Sequence, residues 1–147
     1  MIEFVRIRNF KSLGELSMRL QAFNCLIGMN GAGKSSVLQA FDFISQLMRG
    51  DIGGWLDQLG WSMADLNCKL RKESNITLAV EFRLSHGRLL RWIGVFNHTT
   101  IRCTSETIDR RDVRASQERW RTLRLVDRAT YRSGAVADDA KFLRIHG

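Results

Sequence analysis

The stretch Gly28-Met29-Asn30-Gly31-Ala32-Gly33-Lys34-Ser35 restricts how this chain can fold more than any other feature. It satisfies every fixed position of G-x-x-x-x-G-K-[ST] and stands between two segments of different period. Before it, Phe23, Cys25, Leu26 and Ile27 form a short apolar run that predicts a buried central strand, with Cys25 as a small buried hydrophobe. After it, Val37, Ala40, Phe41, Ile44 and Met48 recur at steps of three and four, and Leu38 and Leu47 widen the stripe. That spacing predicts an amphipathic helix of about four turns, stopped by the glycines of residues 50–54. Strand, glycine loop and helix are thus expected on independent grounds.

A chain that reverses from strand to helix with its backbone N–H groups turned inward makes a cradle for phosphate. Gly28, Gly31 and Gly33 permit backbone angles and an approach that a Cβ would obstruct. A helix starting near Gly33 offers unpaired N–H donors and the positive end of its dipole. In such a loop the Lys34 ammonium reaches β- and γ-phosphate oxygens, the Ser35 hydroxyl holds Mg²⁺, and Ser36 lies in the first turn near the α-phosphate. Asn30 and Ala32 complete the lining. The expected ligand is ATP with Mg²⁺, because no N/T-K-x-D guanine motif is present.

Elsewhere the pattern is mostly that of strands. Ile2, Phe4, Val5 and Ile7 alternate imperfectly with Glu3, Arg6 and Arg8; residues 9–14 read as a turn, and residues 15–20 as a second short strand. Trp55, Leu56, Leu59 and Trp61 suggest short helical turns. Ile76, Leu78, Val80, Phe82 and Leu84 then alternate without a break, residues 85–88 supply a turn, and residues 89–96 return. A further turn near Asn97 leads into residues 99–108, which completes an antiparallel meander. Residues 109–147 show no clean period beyond a candidate strand over residues 123–126. Following this pattern, residues 1–50 form a strand, P-loop and helix core, residues 75–108 an antiparallel β subdomain, and residues 109–147 an irregular part.

Composition bears on partners. Residues 1–100 hold 12 basic and 8 acidic side chains and residues 101–147 hold 11 and 7, so each part supplies half of the net +8. Such a surplus favours polyanions, which makes DNA a candidate partner; salt-bridged faces are the alternative. Three scattered cysteines and three scattered histidines lack the spacing of a zinc site. No apolar run is long enough to span a bilayer, so a cytoplasmic setting is expected.

The opening Ile7-Arg8-Asn9-Phe10-Lys11-Ser12, the apolar run, and Gly28 with Asn30-Gly31-Ala32-Gly33-Lys34-Ser35-Ser36 together resemble the N-terminal lobe of ABC-like AAA-family P-loop ATPases of the RecF/SMC/OLD group. The likeness is specific over residues 1–48; Met29 stands where proline is common. It implies an α/β fold with a mixed sheet, and a β-meander beside the P-loop core. It also implies that the turn after the first strand contacts nucleotide, which adds Arg8, Asn9, Lys11 and Ser12 to the candidate binding residues. Such heads dimerise with ATP sandwiched between them, act in DNA repair, chromosome maintenance or phage defence, and often work with a partner chain that is a nuclease.

Hydrolysis by such a head also needs an apolar strand ending in Asp-Glu and a signature motif. The nearest match, Leu123-Arg124-Leu125-Val126-Asp127, is interrupted by Arg124 and followed by Arg128. A charged edge strand explains it better. No catalytic residue is therefore assigned, and the expectation is the front part of a head that binds ATP. The alternatives are a non-hydrolysing regulatory module completed by a partner, or a basic DNA-binding protein.

Overall fold

The computed structural model describes residues 1–50, 52–84, 87–112 and 120–126. Six strands, β1 (Ile2–Phe10), β2 (Leu13–Arg19), β3 (Asn75–Arg83), β4 (Arg88–Asn97), β5 (Arg102–Asp112) and β6 (Arg121–Val126), form one sheet in the order β2-β1-β3-β4-β5-β6. Two helices, α1 (Lys34–Arg49) and α2 (Ile52–Leu59), and a 3₁₀ turn at Met63–Asp65 lie in the connection between β2 and β3.

Alternation decides which face of the sheet is covered. Val5 and Ile7 of β1 stand opposite Val80 and Leu78 of β3, and Val80 stands opposite Trp92 of β4; all five side chains are buried. Gly94 has no Cβ because the Trp92 indole lies over it: a Cβ there would fall 2.5 Å from the ring. Helix α1 buries Val37, Ala40, Phe43 and Ile44. Phe43 is the hub, stacked on Phe10 at 5.3 Å and Trp55 at 5.7 Å and edge-on to Phe96 at 5.4 Å. The helix ends as its sequence predicts, with Gly50 at φ 85° donating its N–H to Gln46 O at 2.9 Å. Gly53 and Gly54 fall inside α2, where burial of Trp55 and Leu56 and a bond from Trp55 Nε1 to Asp42 Oδ2 (2.7 Å) offset their low helix propensity.

The opposite face is ionic. Arg6 pairs with Glu15, Arg8 and Arg71 share Glu73 at 2.8 and 3.0 Å, Arg83 pairs with Glu3, and Arg91 meets Asp109 at 2.8 Å. Five arginines are thus paired with four carboxylates of the same chain. Their guanidinium groups hold Glu3, Glu15 and Glu73 below the usual carboxylate range, chiefly through hydrogen bonds from Arg83, Arg6 and Arg8 respectively.

The meander and the first hairpin occur as predicted, with β2 starting at Leu13 rather than residue 15. Two expectations are corrected. Every strand pair in the sheet is antiparallel, so the sheet is not mixed. The segment expected to form a buried central strand, residues 23–27, forms no strand, and Phe23 and Ile27 are 83% and 91% exposed. Cys25 is likewise exposed. An apolar run becomes a central strand only when a neighbour satisfies its backbone N–H and C=O groups, and none of the described strands lies beside this one. Phe43 in turn takes the buried position that spacing assigned to Phe41, which is half-buried.

Candidate functional site

The loop of residues 28–33 delivers the chain into α1 through two glycines in the left-handed region, Gly31 at φ 84° and Gly33 at φ 88°. Gly33 is the N-cap and carries no side-chain cap, and the first turn of α1 contains no acidic residue. Val37 N–H bonds to Gly33 O at 3.0 Å, which starts the helical ladder. The N–H groups at the head of α1 therefore receive neither of the usual substitutes, a capping hydroxyl or a carboxylate. Beside them lies a cleft of about 360 Å³ lined by Ser12, Asn30, Gly31, Gly33, Lys34, Ser35 and Ser36.

Lys34 folds back over the loop, its Nζ donating to Gly28 O at 2.6 Å and Met29 O at 2.7 Å. Two of three ammonium donors thus curl the loop, and the charge stays at the rim of the cleft. Close packing bears on Gly33 as well as on Gly28. A Cβ on Gly33 would stand 3.1 Å from Ser12 Oγ, and one on Gly28 would stand 3.3 Å from the Ala32 Cβ. Ser12 and Ser36 hydroxyls are 2.7 Å apart, which ties the turn between β1 and β2 to the first turn of α1.

The candidates of the first hairpin separate clearly. Ser12 lines the cleft. Arg8 is held on the ionic face by Glu73. Asn9 is fully buried, with Nδ2 donating to Glu73 O and Asn75 O. Lys11 lays its Nζ 3.0 Å from the centroid of the Trp61 ring. Burial against that ring pushes its ammonium below the usual lysine range, with Asp65 opposing the shift. Neither periodicity nor spacing connects Trp61 with Lys11, so far apart in the chain.

Of the carboxylates needed for hydrolysis, none among the described residues lines the cleft. Strand β6, which leads to Asp127, is the sheet edge opposite β2, and Asp127 itself lies outside the described residues. Among the described residues, no group of three His, Cys, Asp or Glu side chains converges on a point, and no helix is long and apolar enough to cross a membrane.

A glycine loop that feeds a helix with a bare N-terminus, with lysine and serine at its head, is the arrangement of a P-loop nucleotide-binding domain. A family model described as an AAA ATPase domain (AAA_15) matches residues 1–127, and the chain belongs to that family, which is of the ABC-like RecF/SMC/OLD type. Membership implies nucleotide binding. No curated protein matches the chain at a significant level.

Proposed function

We propose that the chain binds ATP with Mg²⁺ in the cleft between the head of α1 and the turn at Ser12, as the front part of a RecF/SMC/OLD-like ATPase head. The observation that carries this reading is the uncapped, acid-free first turn of α1 facing a cleft with Lys34 at its rim. The donor set suits the ligand: backbone N–H groups and an ammonium for phosphate, and a serine hydroxyl for a hard cation that prefers oxygen. Lys34 would exchange its bonds to Gly28 O and Met29 O for β- and γ-phosphate oxygens. Ser35 would hold Mg²⁺, which supplies charge neutralisation along the phosphates when bound. Gly28, Asn30, Gly31, Ala32 and Gly33 shape the cradle, while Ser36 and Ser12 close the side nearest the hairpin. Arg8, Asn9 and Lys11 have other partners and are not assigned as contacts.

A specific observation favours completion of this site by further polypeptide. Phe23, Ile27 and Met29 are 83%, 91% and 86% exposed immediately before and within the loop, a large apolar surface for one short segment. We propose that another segment, from a second head or a partner chain, covers it and brings the carboxylates that none of the described residues places at the cleft. Binding is then the property of this chain, and turnover the property of the assembly. DNA repair, chromosome maintenance and phage defence remain the settings implied by the family.

The test is calorimetric titration of the purified chain with ATP, with Mg²⁺ and with EDTA, in wild type and Ser35→Ala. The expected result is saturable binding that Mg²⁺ strengthens in wild type and strengthens much less in Ser35→Ala. Equal binding in all four conditions would remove Ser35 from the metal site.

A further inference from the structure

Among the described residues Asn9 is one of two buried polar ones, with no exposed surface at all. Its side chain is used at both ends. Nδ2 donates to Glu73 O at 2.7 Å and to Asn75 O at 3.0 Å, and Oδ1 accepts from Cys68 N–H at 3.1 Å. Both amide protons and the carbonyl are thereby satisfied by backbone from a segment about sixty residues further on. The same segment holds Lys11, whose N–H donates to Leu66 O at 2.8 Å.

The backbone here is unusual. Asn9 has φ 62° and Lys11 has φ 50°, so two non-glycine residues take left-handed angles with only Phe10 between them. Asparagine tolerates that region better than most residues, but lysine gains nothing from it locally. The consequence is geometric. The double bend sends the Phe10 ring into the core against Phe43 of α1 and turns the next residue but one, Ser12, toward the head of the same helix. Ser12 Oγ then lies 2.7 Å from Ser36 Oγ and would be 3.1 Å from a Cβ on Gly33. A strained segment held by three side-chain hydrogen bonds from one buried residue, and ending at the cleft, calls for a functional account.

We infer that Asn9 is a positioning residue for the phosphate cleft: its three side-chain hydrogen bonds fix the left-handed bend that presents Ser12 to the first turn of α1. It acts on nucleotide affinity through Ser12 and touches no ligand itself. This role rests on the nucleotide reading of the cleft. It differs from a merely structural role in one measurable way. A residue that only supports the fold lowers stability and leaves the affinity of the folded fraction alone, whereas a residue that aims Ser12 has an effect that disappears once Ser12 is removed.

A double-mutant cycle on the full chain reads that difference. Asn9→Gly keeps the left-handed angle and deletes the side-chain bonds; Ser12→Ala deletes the hydroxyl that is being aimed. Mg·ATP affinity is measured by calorimetry on the folded proteins, with circular dichroism to establish the fold. Each single variant is expected to weaken binding by about fivefold to tenfold, the range for loss of one hydrogen bond, and the double variant no further. Wild-type affinity in Asn9→Gly, or effects that multiply in the double variant, would overturn the positioning role while leaving the cleft reading intact. Absence of binding in wild type would instead bring down both.

Should Asn9→Gly not fold, Asn9→Asp replaces it, since the carboxylate keeps the acceptor for Cys68 N–H and loses the two donors. A second measurement needs no variant. By linkage, Mg·ATP must stabilise the anchor that favours it, so the amides of Lys11 and Cys68 are expected to gain hydrogen-exchange protection on binding. Unchanged exchange at both amides, with saturated nucleotide, would also overturn the inference.

Discussion

Replacing Phe43 with leucine tests which face of α1 holds the helix to the sheet, and with it the orientation of the phosphate cleft. Phe43 has no exposed surface and makes three ring contacts, at 5.3, 5.4 and 5.7 Å from Phe10, Phe96 and Trp55. Each aromatic pair is worth roughly 0.5–1.5 kcal/mol beyond the area it buries. Leucine restores most of the volume but none of the pairs. With allowance for non-additivity among rings that share one hub, the loss is about 2 kcal/mol. Phe41 is half-buried and makes none of these contacts, so Phe41→Leu is expected to cost about 1 kcal/mol or less. Equilibrium urea unfolding followed by far-UV circular dichroism separates the two. With a slope of about 2 kcal/mol/M, Phe43→Leu lowers the midpoint by about 1 M and Phe41→Leu by about half that or less. A Phe41→Leu midpoint as low as that of Phe43→Leu would refute the assignment of the buried face.

Gly94→Ala places a methyl 2.5 Å from the Trp92 indole, and is expected to lower stability by about 1–3 kcal/mol with a shifted tryptophan emission maximum. Gly33→Ala combines a left-handed angle with a Cβ 3.1 Å from Ser12 Oγ, so Mg·ATP binding is expected to weaken about tenfold or more; Gly31→Ala has the same kind of angle but open space and weakens it less. The arginine-paired carboxylates Glu3, Glu15 and Glu73 have folded pKa values below their ordinary 4.5, so the unfolded chain binds more protons than the folded chain as the pH falls into that range. Their stabilisation is present above about pH 4.5 and is lost as the pH drops through the lower folded values, which a series of thermal midpoints from pH 7 to pH 3 will show as a decline below that point. A midpoint that stays level or rises on acidification would contradict the pairing.

Much of this molecule was legible because its signals are local. The glycine loop, the start and stop of α1 and the alternation of β3 and β4 each follow from residues adjacent in the chain. The failures share one cause, dependence on residues elsewhere. The apolar run at residues 23–27 reads as a central strand on composition, yet a strand exists only if another supplies its ladder. Phe41 and Phe43 both lie within reach of the apolar stripe, and only the position of Phe10, Trp55 and Phe96 decides between them. The hairpin residues show the same limit at the cleft. Arg8, Asn9, Lys11 and Ser12 are equal candidates in sequence, and Glu73, Asn75, Trp61 and Ser36 distribute them to an ion pair, a buried anchor, a cation–π contact and the cleft.

Lys34 is the side chain on which the nucleotide reading can be tested most directly, since among the described residues it is the cation lining the cleft, and it bonds to the Gly28 and Met29 carbonyls of its own loop. The measurement is Mg·ATP affinity by isothermal calorimetry for folded wild type and Lys34→Ala at matched ionic strength. Loss of charge-assisted hydrogen bonds to phosphate predicts saturable binding in wild type and a weakening of roughly 10- to 150-fold in the variant. No binding by folded wild-type protein, or equal affinity in Lys34→Ala, would contradict the account.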